Sequence, residues 1–263
     1  MYSLGFLILA SFALSLVLTG VCRNVFRRYG VLDWPGAGRK THARAVPRVG
    51  GVPILLSGVV AFGVLMVAPL HSGDLMEQSL PLALKALPAV ILIFLTGLLD
   101  DLRGLTPWQK LAGQFAAAVA ACLGGVTIHA VGGHPLPLWL GIPVTLFWLV
   151  GCANAFNLID GVDGVAAGIG LFATITTLVA ALLDNNLMLA LATAPLVGSL
   201  LGFLRYNFNP ASIFLGDSGS LLVGFVLGCY GVVWSQKCAT ILGMTAPMMA
   251  LAIPILDVGL SIL

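Results

Sequence analysis

Long apolar runs recur along the whole chain and restrict what it can fold into. A helix that crosses the hydrocarbon core of a bilayer needs about 20 mostly apolar residues. We count about nine such runs, at residues 3–22, 52–70, 82–99, 111–128, 138–156, 164–183, 187–204, 220–235 and 239–261. With 59% hydrophobic and 8% charged residues, the composition lies far from that of soluble domains. The pattern predicts an all-α polytopic membrane protein, with one transmembrane domain over residues 1–263.

Basic residues are distributed unevenly between the two ends of the predicted spans. Seven of the twelve follow the first apolar run, and alternation of the spans places Arg103, Lys110 and Arg205 on the same side. Only Lys85 and Lys237 fall on the opposite side. Because basic residues collect in cytoplasmic loops, we expect the N-terminus outside the cell and these loops inside it.

Carboxylates stand at the ends of the apolar runs, where solubility does not require them. The pair Asp100-Asp101, Asp160 with Asp163, and Asp217 all fall on the predicted cytoplasmic side. Ionisable groups at membrane depth are costly, and they usually mark a substrate, ion or metal site. Three motifs that are far apart in sequence are therefore expected to meet at one surface.

Adjacent carboxylates such as Asp100 and Asp101 suit two kinds of chemistry. They can hold a hard divalent cation that also touches phosphate oxygens. Alternatively, one of them can accept a proton, because neighbouring like charges raise one pKa. Simple solvation of a helix end is the plain alternative, but acids at a helix C-terminus oppose the helix dipole.

Four amide and carboxylate side chains recur at intervals of three residues, namely Asn154, Asn157, Asp160 and Asp163. On a regular helix this stripe would wander about halfway round the surface. Gly161 and Gly164 predict instead that the helix breaks here and leaves polar groups facing a ligand. A pair of Asx turns that merely joins two spans is the alternative.

Two further segments admit both a structural and a functional interpretation. The segment 216–220 (Gly-Asp-Ser-Gly-Ser) contains residues favoured at helix starts. It could also present exposed backbone amides at a helix N-terminus, where phosphate binds well. The basic loop 39–51 could fix orientation and bind anionic lipid head groups, or it could handle phosphate.

Together these motifs resemble one known family. The resemblance rests on Asp100-Asp101 with the following Lys110 and Gln114, on Asn154-x-x-Asn157-x-x-Asp160-Gly161-x-Asp163-Gly164, on the stretch 210–220, and on Thr41-His42 before Pro47-Arg48-x-Gly50-Gly51. It covers nearly the whole chain in order and spacing. The family is that of the polyprenyl-phosphate N-acetylhexosamine-1-phosphate transferases. Its members move a sugar 1-phosphate from a UDP-sugar to a lipid phosphate at the cytoplasmic face and release UMP.

The resemblance implies roles for individual residues. Asp100, Asp101 and Asp217 would be catalytic, and Mg²⁺ (or Mn²⁺) would be held by Asp217 with Asp100 or Asp101. The remaining Asp of that pair could position or deprotonate the lipid phosphate, while a double displacement would make one Asp a nucleophile. Substrate contacts are implied for nine residues, namely Asn154, Asn157, Asp160, Asp163, Lys110, Phe214 (stacking on uracil), Lys40, His42 and Arg48.

The resemblance also implies a setting, the bacterial inner membrane, and two substrates, a UDP-N-acetylhexosamine and undecaprenyl (polyprenyl) phosphate. The reaction would be the first membrane step of a cell-envelope glycan such as O-antigen or teichoic acid. A homodimer is compatible with it, and no nucleic-acid partner is expected. The residues that start at Asn157 (Asn-Leu-Ile-Asp-Gly) and the segment 207–220 resemble the subclass that uses UDP-N-acetylglucosamine more than the subclass that uses UDP-N-acetylmuramyl-pentapeptide.

The C-terminal part departs from the family pattern. Family members have ten or eleven spans and continue past Pro254-x-x-Asp257 with a basic loop carrying a His-x-His-His type motif. This chain ends at Leu263, so we expect either a fragment or a protein without that loop. The alternative from another class is an ion-coupled transporter. Its acids would lie near the bilayer midplane, whereas the acids here are predicted at span ends.

Overall fold

The computed structural model describes residues 2–34, 45–67, 73–131 and 134–235. Each of the first eight apolar runs coincides with a helix in this part of the chain, and the ninth run, 239–261, lies outside it. One small hairpin accompanies the helices. The elements are α1 (Tyr2–Arg28), α2 (Gly51–Val67), α3 (Gly73–Arg103), α4 (Pro107–Leu123), β1 (Ala130–Val131), β2 (His134–Pro135), α5 (Leu138–Ile159), α6 (Val165–Leu183), α7 (Leu187–Asn207) and α8 (Gly216–Ser235).

Five of the described helices are long and apolar enough to cross a membrane. They are α1, α5, α6, α7 and residues Gly216–Val233 of α8. Helix α2 is apolar but shorter, with 17 residues. The helices are therefore those of a multi-pass membrane protein, while the expected nine spans and their orientation stay predictions.

Helices α7 and α8 form the centre of the bundle. Helix α8 packs against α3 and α5, and α7 packs against α1 and α6. Small residues let α7 approach α1 closely, since a Cβ atom added to Gly202 would lie 2.7 Å from the Phe12 carbonyl oxygen and 2.8 Å from Ser15 Cβ. Close packing of small residues is a principal source of helix association in lipid, where no hydrophobic force draws helices together.

Buried apolar side chains form two clusters. The larger includes Phe156 of α5 and Phe203 of α7 and extends to Leu215, just before α8. The smaller joins Leu7 of α1 to Leu65, near the C-terminal end of α2. Because Leu215 is fully buried, the larger cluster anchors the chain where the motif 216–220 begins.

The break predicted between the fifth and sixth runs is confirmed. Helix α5 ends at Ile159 and α6 starts at Val165. Gly164 precedes α6 with a φ of 75°, a left-handed conformation that glycine adopts without steric cost. The polar residues of the break are thus freed from a continuous helix surface.

Candidate active site

The acidic motifs meet at one end of the bundle, as the sequence predicts. Asp100 and Asp101 lie in the last turn of α3, Asp160 follows α5, and Asp217 lies in the first turn of α8. Hydrogen bonds join α3 to α8 directly, since Asp101 accepts from the backbone of Asp217. These residues therefore form one site, although Asp101 and Asp217 are more than a hundred positions apart in sequence.

Asp217 is the centre of this site. Its Oδ1 atom accepts hydrogen bonds from Arg48 Nη2 and Asn157 Nδ2, both at 2.8 Å. Its Oδ2 atom is paired with the ammonium group of Lys110. The side chain is only 7% exposed. A nearly buried carboxylate needs such partners because an unpaired charge there would be costly.

Lys110 reaches the site because of how α4 begins. The Thr106 hydroxyl accepts the N–H of Gln109, and the Gln109 side chain accepts the N–H of Thr106, with Pro107 as the first helical residue. This capping box fixes the start of α4 and places Lys110 in its first turn. Lys110 Nζ then lies 3.0 Å from Asp100 Oδ2.

Asn157 connects the charged groups to one another. Its Oδ1 atom accepts from Lys110 Nζ at 3.0 Å, and its Nδ2 group donates to Asp217 and to Ser220 Oγ, the latter at 3.0 Å. Asn154, one turn earlier in α5, is paired with Gln114 through two amide hydrogen bonds of 3.2 and 2.6 Å. Asn154 therefore joins α5 to α4 one helical turn before Asn157.

Asp101 is placed differently from its neighbour. Its side chain is 0% exposed, with Arg48 Nε 3.5 Å from Oδ1. The backbone N–H groups of Asp217 and Ser218 donate to its two oxygens, both at 2.8 Å. These two amides of the α8 N-terminus are thus occupied by the protein itself, which differs from the exposed phosphate-binding amides that the sequence allowed.

Asp160 lies beside the central carboxylates, outside the candidate membrane spans. Burial raises its pKa well above the ordinary value; the nearby Arg48 opposes this shift, while the charges of Asp217 and Asp101 add to it. A backbone hydrogen bond to Gly216 further links it to the start of α8. A raised pKa shifts the carboxyl towards its neutral form, which can donate a hydrogen bond as well as accept one.

Asp163 is not part of the ion-paired cluster. Its Oδ2 atom accepts the N–H of Ala211 at 2.9 Å and the side-chain amide of Asn209 at 3.3 Å. Asp163 thereby holds the connection between α7 and α8 against the break between α5 and α6. The nucleotide contact that the resemblance implies for it stays a prediction.

The segments that precede α2 and α8 are paired through their backbones. The N–H of Phe214 donates to the Pro47 carbonyl at 2.8 Å, and the N–H of Gly50 donates to the Phe214 carbonyl at 3.0 Å. This pairing carries Arg48 to Asp217 and leaves Phe214, which is partly buried, at the rim of the site. Lys40 and His42, which the sequence also predicts here, lie outside the described residues.

Sequence reasoning missed three residues that support the site, although a signal existed for two of them. Ser220 lies three positions after Asp217, which places both on one face of α8. Gly97 lies four positions before Asp101 on α3, and a Cβ atom there would contact the backbone of Asp217 and Ser218. Asn209 had no comparable signal, because its contact depends on the shape of the loop.

Oxygen atoms suited to a hard cation converge at Lys110. Asp100 Oδ2 and Asn157 Oδ1 lie 3.0 Å from its Nζ atom, and Asp217 Oδ2 contacts the same atom. No group of three His, Cys, Asp or Glu side chains arranged for a metal is present in the described residues. Mg²⁺, however, is usually held by one or two carboxylates together with substrate phosphates and water, so this set of oxygens fits it.

Comparisons with known proteins point to one group. The sequence profile of glycosyl transferase family 4 matches residues 83–235. A probable undecaprenyl-phosphate N-acetylglucosaminyl 1-phosphate transferase of Bacillus subtilis (strain 168) is 33% identical over 253 residues, which covers 94% of this chain and 68% of that protein. A decaprenyl-phosphate N-acetylglucosaminephosphotransferase of Mycolicibacterium smegmatis is 35% identical over 231 residues, covering 80% of this chain and 55% of that protein.

Relatives with another donor are also found. A phospho-N-acetylmuramoyl-pentapeptide-transferase of Halalkalibacterium halodurans is 32% identical over 229 residues, covering 78% of this chain and 66% of that protein. The chain thus spans between about half and two thirds of the length of these relatives, depending on the protein.

Proposed function

The chain belongs to glycosyl transferase family 4, and from that premise we propose that it transfers N-acetylglucosamine 1-phosphate from UDP-N-acetylglucosamine to undecaprenyl phosphate. The products are the polyprenyl diphospho-sugar and UMP. The names of the relatives from Bacillus and Mycolicibacterium support a polyprenyl-phosphate acceptor and the sugar, and the Bacillus name supports undecaprenyl phosphate. The reaction would begin a cell-envelope glycan at the bacterial inner membrane.

The observation that carries this proposal is the contact set of Asp217. This carboxylate, in the first turn of α8, contacts two cations and one amide, those of Arg48, Lys110 and Asn157. Phosphoryl transfer between two anionic substrates needs positioning and charge neutralisation more than covalent help from the protein. A cluster that combines cations with carboxylates supplies both.

Mg²⁺ would be held in this cluster by Asp100 and Asp217, and Mn²⁺ would fit the same oxygens. When bound, the ion would neutralise the diphosphate and stabilise the departing UMP. Asp101 is not among these ligands, since its oxygens are engaged by backbone amides. Asp100 and Asp217 are assigned as the metal ligands because their carboxylates face Lys110, whereas that of Asp101 faces the backbone of α8.

The protein's own cations would bind the phosphates of both substrates. Arg48 is 46% exposed while its guanidinium group contacts Asp217, so it can reach a phosphate from that position. Lys110 lies between Asp100 and Asp217; with Mg²⁺ held by those two carboxylates, its ammonium group would turn from them to the diphosphate. Guanidinium and ammonium groups form strong charge-assisted hydrogen bonds with phosphate oxygens.

Asp100 is the carboxylate best placed to meet the lipid phosphate. Its side chain is 14% exposed, and one oxygen accepts the N–H of Leu105 at 2.6 Å while the other faces Lys110. A phosphate monoester with a second pKa of about 6 is already mostly ionised at neutral pH. Because a carboxylate and an ionised phosphate repel each other, Asp100 would orient the attacking oxygen through a cation that both contact, such as Lys110. Proton removal would add little to the rate.

The site would face the cytoplasm. The ends of α3 and α5 and the starts of α4 and α8 meet there, and Arg48, Arg103 and Lys110 lie at the same end. Basic residues favour the cytoplasmic side of a bacterial inner membrane. UDP-sugars are made in the cytoplasm, so this orientation gives the donor direct access to the site.

The proposal is tested by UMP release from the purified protein in detergent. Mg²⁺ and undecaprenyl phosphate are supplied with either UDP-N-acetylglucosamine or UDP-N-acetylmuramyl-pentapeptide. We expect lipid-dependent release with the first donor only, because a relative that matches 94% of this chain carries that sugar in its name. Release with the second donor alone would replace the proposed donor, and lipid-independent release would contradict the transferase reaction.

A further inference from the structure

The first turn of α8 is capped by a side chain from another helix. The first four N–H groups of any helix have no partner within that helix. In α8 the N–H groups of Asp217 and Ser218 donate to the Asp101 carboxylate at the end of α3, each at 2.8 Å. A negative charge at this position is also favoured by the dipole of α8.

Asp101 has no free approach for a ligand. Its side chain is 0% exposed, and each oxygen already accepts one amide. Gly216 closes the remaining side, since a Cβ atom on it would lie 2.8 Å from Asp101 Oδ2 and 2.7 Å from the Arg48 carbonyl oxygen. By contrast, Asp100 Oδ2 faces the Lys110 ammonium group at 3.0 Å. The two adjacent carboxylates thus have different partners: Asp101 binds the backbone of α8, and Asp100 faces Lys110.

Gly97 allows Asp101 to reach α8. It lies one helical turn before Asp101 on the same face of α3. A Cβ atom at Gly97 would come within 2.6 Å of Ser218 Cα and would also contact the Asp217 carbonyl group. Helices α3 and α8 therefore touch backbone to backbone at this point, with the Asp101 carboxylate directly beyond it.

We propose that Asp101 is a positioning residue that, together with Gly97, clamps the first turn of α8 and so aims Asp217 at Lys110 and Arg48. It touches neither the metal nor the phosphates. This differs from the catalytic and metal-binding role that the resemblance implies for Asp101. The effect on turnover rests on the proposed function, whereas the clamp itself can be measured without any substrate.

The clamp is tested first by amide hydrogen exchange of the α8 start, followed by mass spectrometry in detergent. Three variants are compared with the wild type: Asp101→Asn, Gly97→Ala and the matched control Gly63→Ala, where a Cβ atom meets nothing within 4 Å. We expect exchange over 216–220 to quicken at least about tenfold in the first two, because a cap is lost or pushed away. The control and Asp100→Asn should exchange like the wild type.

The steady-state kinetics of the variants are the second test of the clamp. With UDP-N-acetylglucosamine and undecaprenyl phosphate, Asp101→Asn and Gly97→Ala should each lower kcat about 100-fold, the size expected when a reacting group is misplaced. The KM for Mg²⁺ should rise less than it does in Asp217→Asn, because Asp217 is displaced while no ligand is removed. Gly97→Ala is informative because it leaves every carboxylate in place.

Two results would overturn the proposal. One is an Asp101→Asn protein with wild-type exchange over 216–220 and lost turnover, which would place Asp101 at the reacting atoms. The other is a Gly97→Ala protein that exchanges and turns over like Gly63→Ala. If no variant and no wild type turned over, the proposed function would fail, while the exchange data would still decide the clamp.

Discussion

Asn157 is the residue whose contacts best separate positioning from charge in this site. Its amide donates to Asp217 Oδ1 at 2.8 Å and accepts from Lys110 Nζ at 3.0 Å. It also donates to the Ser220 hydroxyl at 3.0 Å. One neutral side chain therefore holds a carboxylate and an ammonium group in register. Its removal changes geometry without changing the net charge of the site.

Replacing Asn157 with Ala should reduce kcat/KM for the sugar donor about 100-fold, equivalent to about 2.7 kcal/mol. The loss arises because Asp217 and Lys110 both lose a partner in a nearly buried setting. Ser220→Ala is the matched control, since it removes only one neutral hydrogen bond and should cost less than about tenfold. The measurement is UMP release at varied donor concentration. Equal losses in the two variants would contradict the role assigned to Asn157.

The residues of the site were predictable from sequence where their charge conflicts with their surroundings. Asp100, Asp160 and Asp217 stand out because apolar runs precede or follow them. The difference between Asp100 and Asp101 was not predictable, because neighbours on a helix point about 100° apart and only the packing of α3 on α8 decides which one faces the polar centre. The contact of Asp163 with the loop at Ala211 was hidden for a similar reason.

Helix α7 is the element on which the packing of the bundle most depends. It contacts α1, α2 and α6, and Gly198 and Gly202 lie on its face toward α1. Ser199 accepts a hydrogen bond from Ser15 through its carbonyl at 2.7 Å and one from Ser57 through its hydroxyl at 2.9 Å. Small and hydroxylated residues thus join three helices where lipid provides no hydrophobic driving force.

Gly202→Val should destabilise the protein, because a Cβ atom at this position meets the Phe12 carbonyl oxygen at 2.7 Å. Overpacking of this kind costs about 1–3 kcal/mol. Gly63→Val is the control, since a Cβ atom there meets nothing within 4 Å. Thermal unfolding in detergent, followed by circular dichroism, gives the comparison. An unchanged unfolding temperature for Gly202→Val would show that α1 and α7 are not closely packed.

Element boundaries were only partly predictable. The run 111–128 corresponds to α4, but the helix begins earlier, at Pro107, and ends at Leu123. The start follows from the capping box of Thr106 and Gln109, a signal separate from hydropathy. Gly125, with a φ of 94°, follows the end of the helix, which apolar content alone would have extended. The hairpin of two-residue strands was not predicted, because it is too short to carry a periodic pattern.

At the scale of the whole molecule, polar chemistry is concentrated at one end of an apolar bundle. Helix α8 is largely buried among its neighbours and presents Asp217 at its N-terminal end. The second apolar cluster, around Leu7 and Leu65, closes the other end. This distribution suits an enzyme that takes a soluble donor from one side and a lipid acceptor from the bilayer. An ion-coupled transport path would instead need acidic groups near mid-depth.

The proposed orientation predicts how single cysteines react in intact cells. In a variant without the native cysteines, Arg103→Cys lies at the end of α3 and Ala130→Cys lies in the hairpin, both exposed. A membrane-impermeant maleimide should label the cysteine at 130 in spheroplasts and the cysteine at 103 only after the membrane is permeabilised. As a control, the maleimide should label both cysteines in permeabilised cells. The reverse pattern would invert the orientation and place the site outside.

Phosphosugar transfer is tested most directly by following the β-phosphorus of the donor. UDP-N-acetylglucosamine labelled with ³²P at the β-position and with tritium in the sugar is incubated with the protein, Mg²⁺ and undecaprenyl phosphate, and the lipid fraction is extracted. We predict that both labels enter the lipid in equal amounts, with unlabelled UMP released, and that Asp217→Asn lowers the rate at least about 100-fold. Tritium in the lipid without ³²P would mean transfer of the sugar alone and would contradict the proposed reaction.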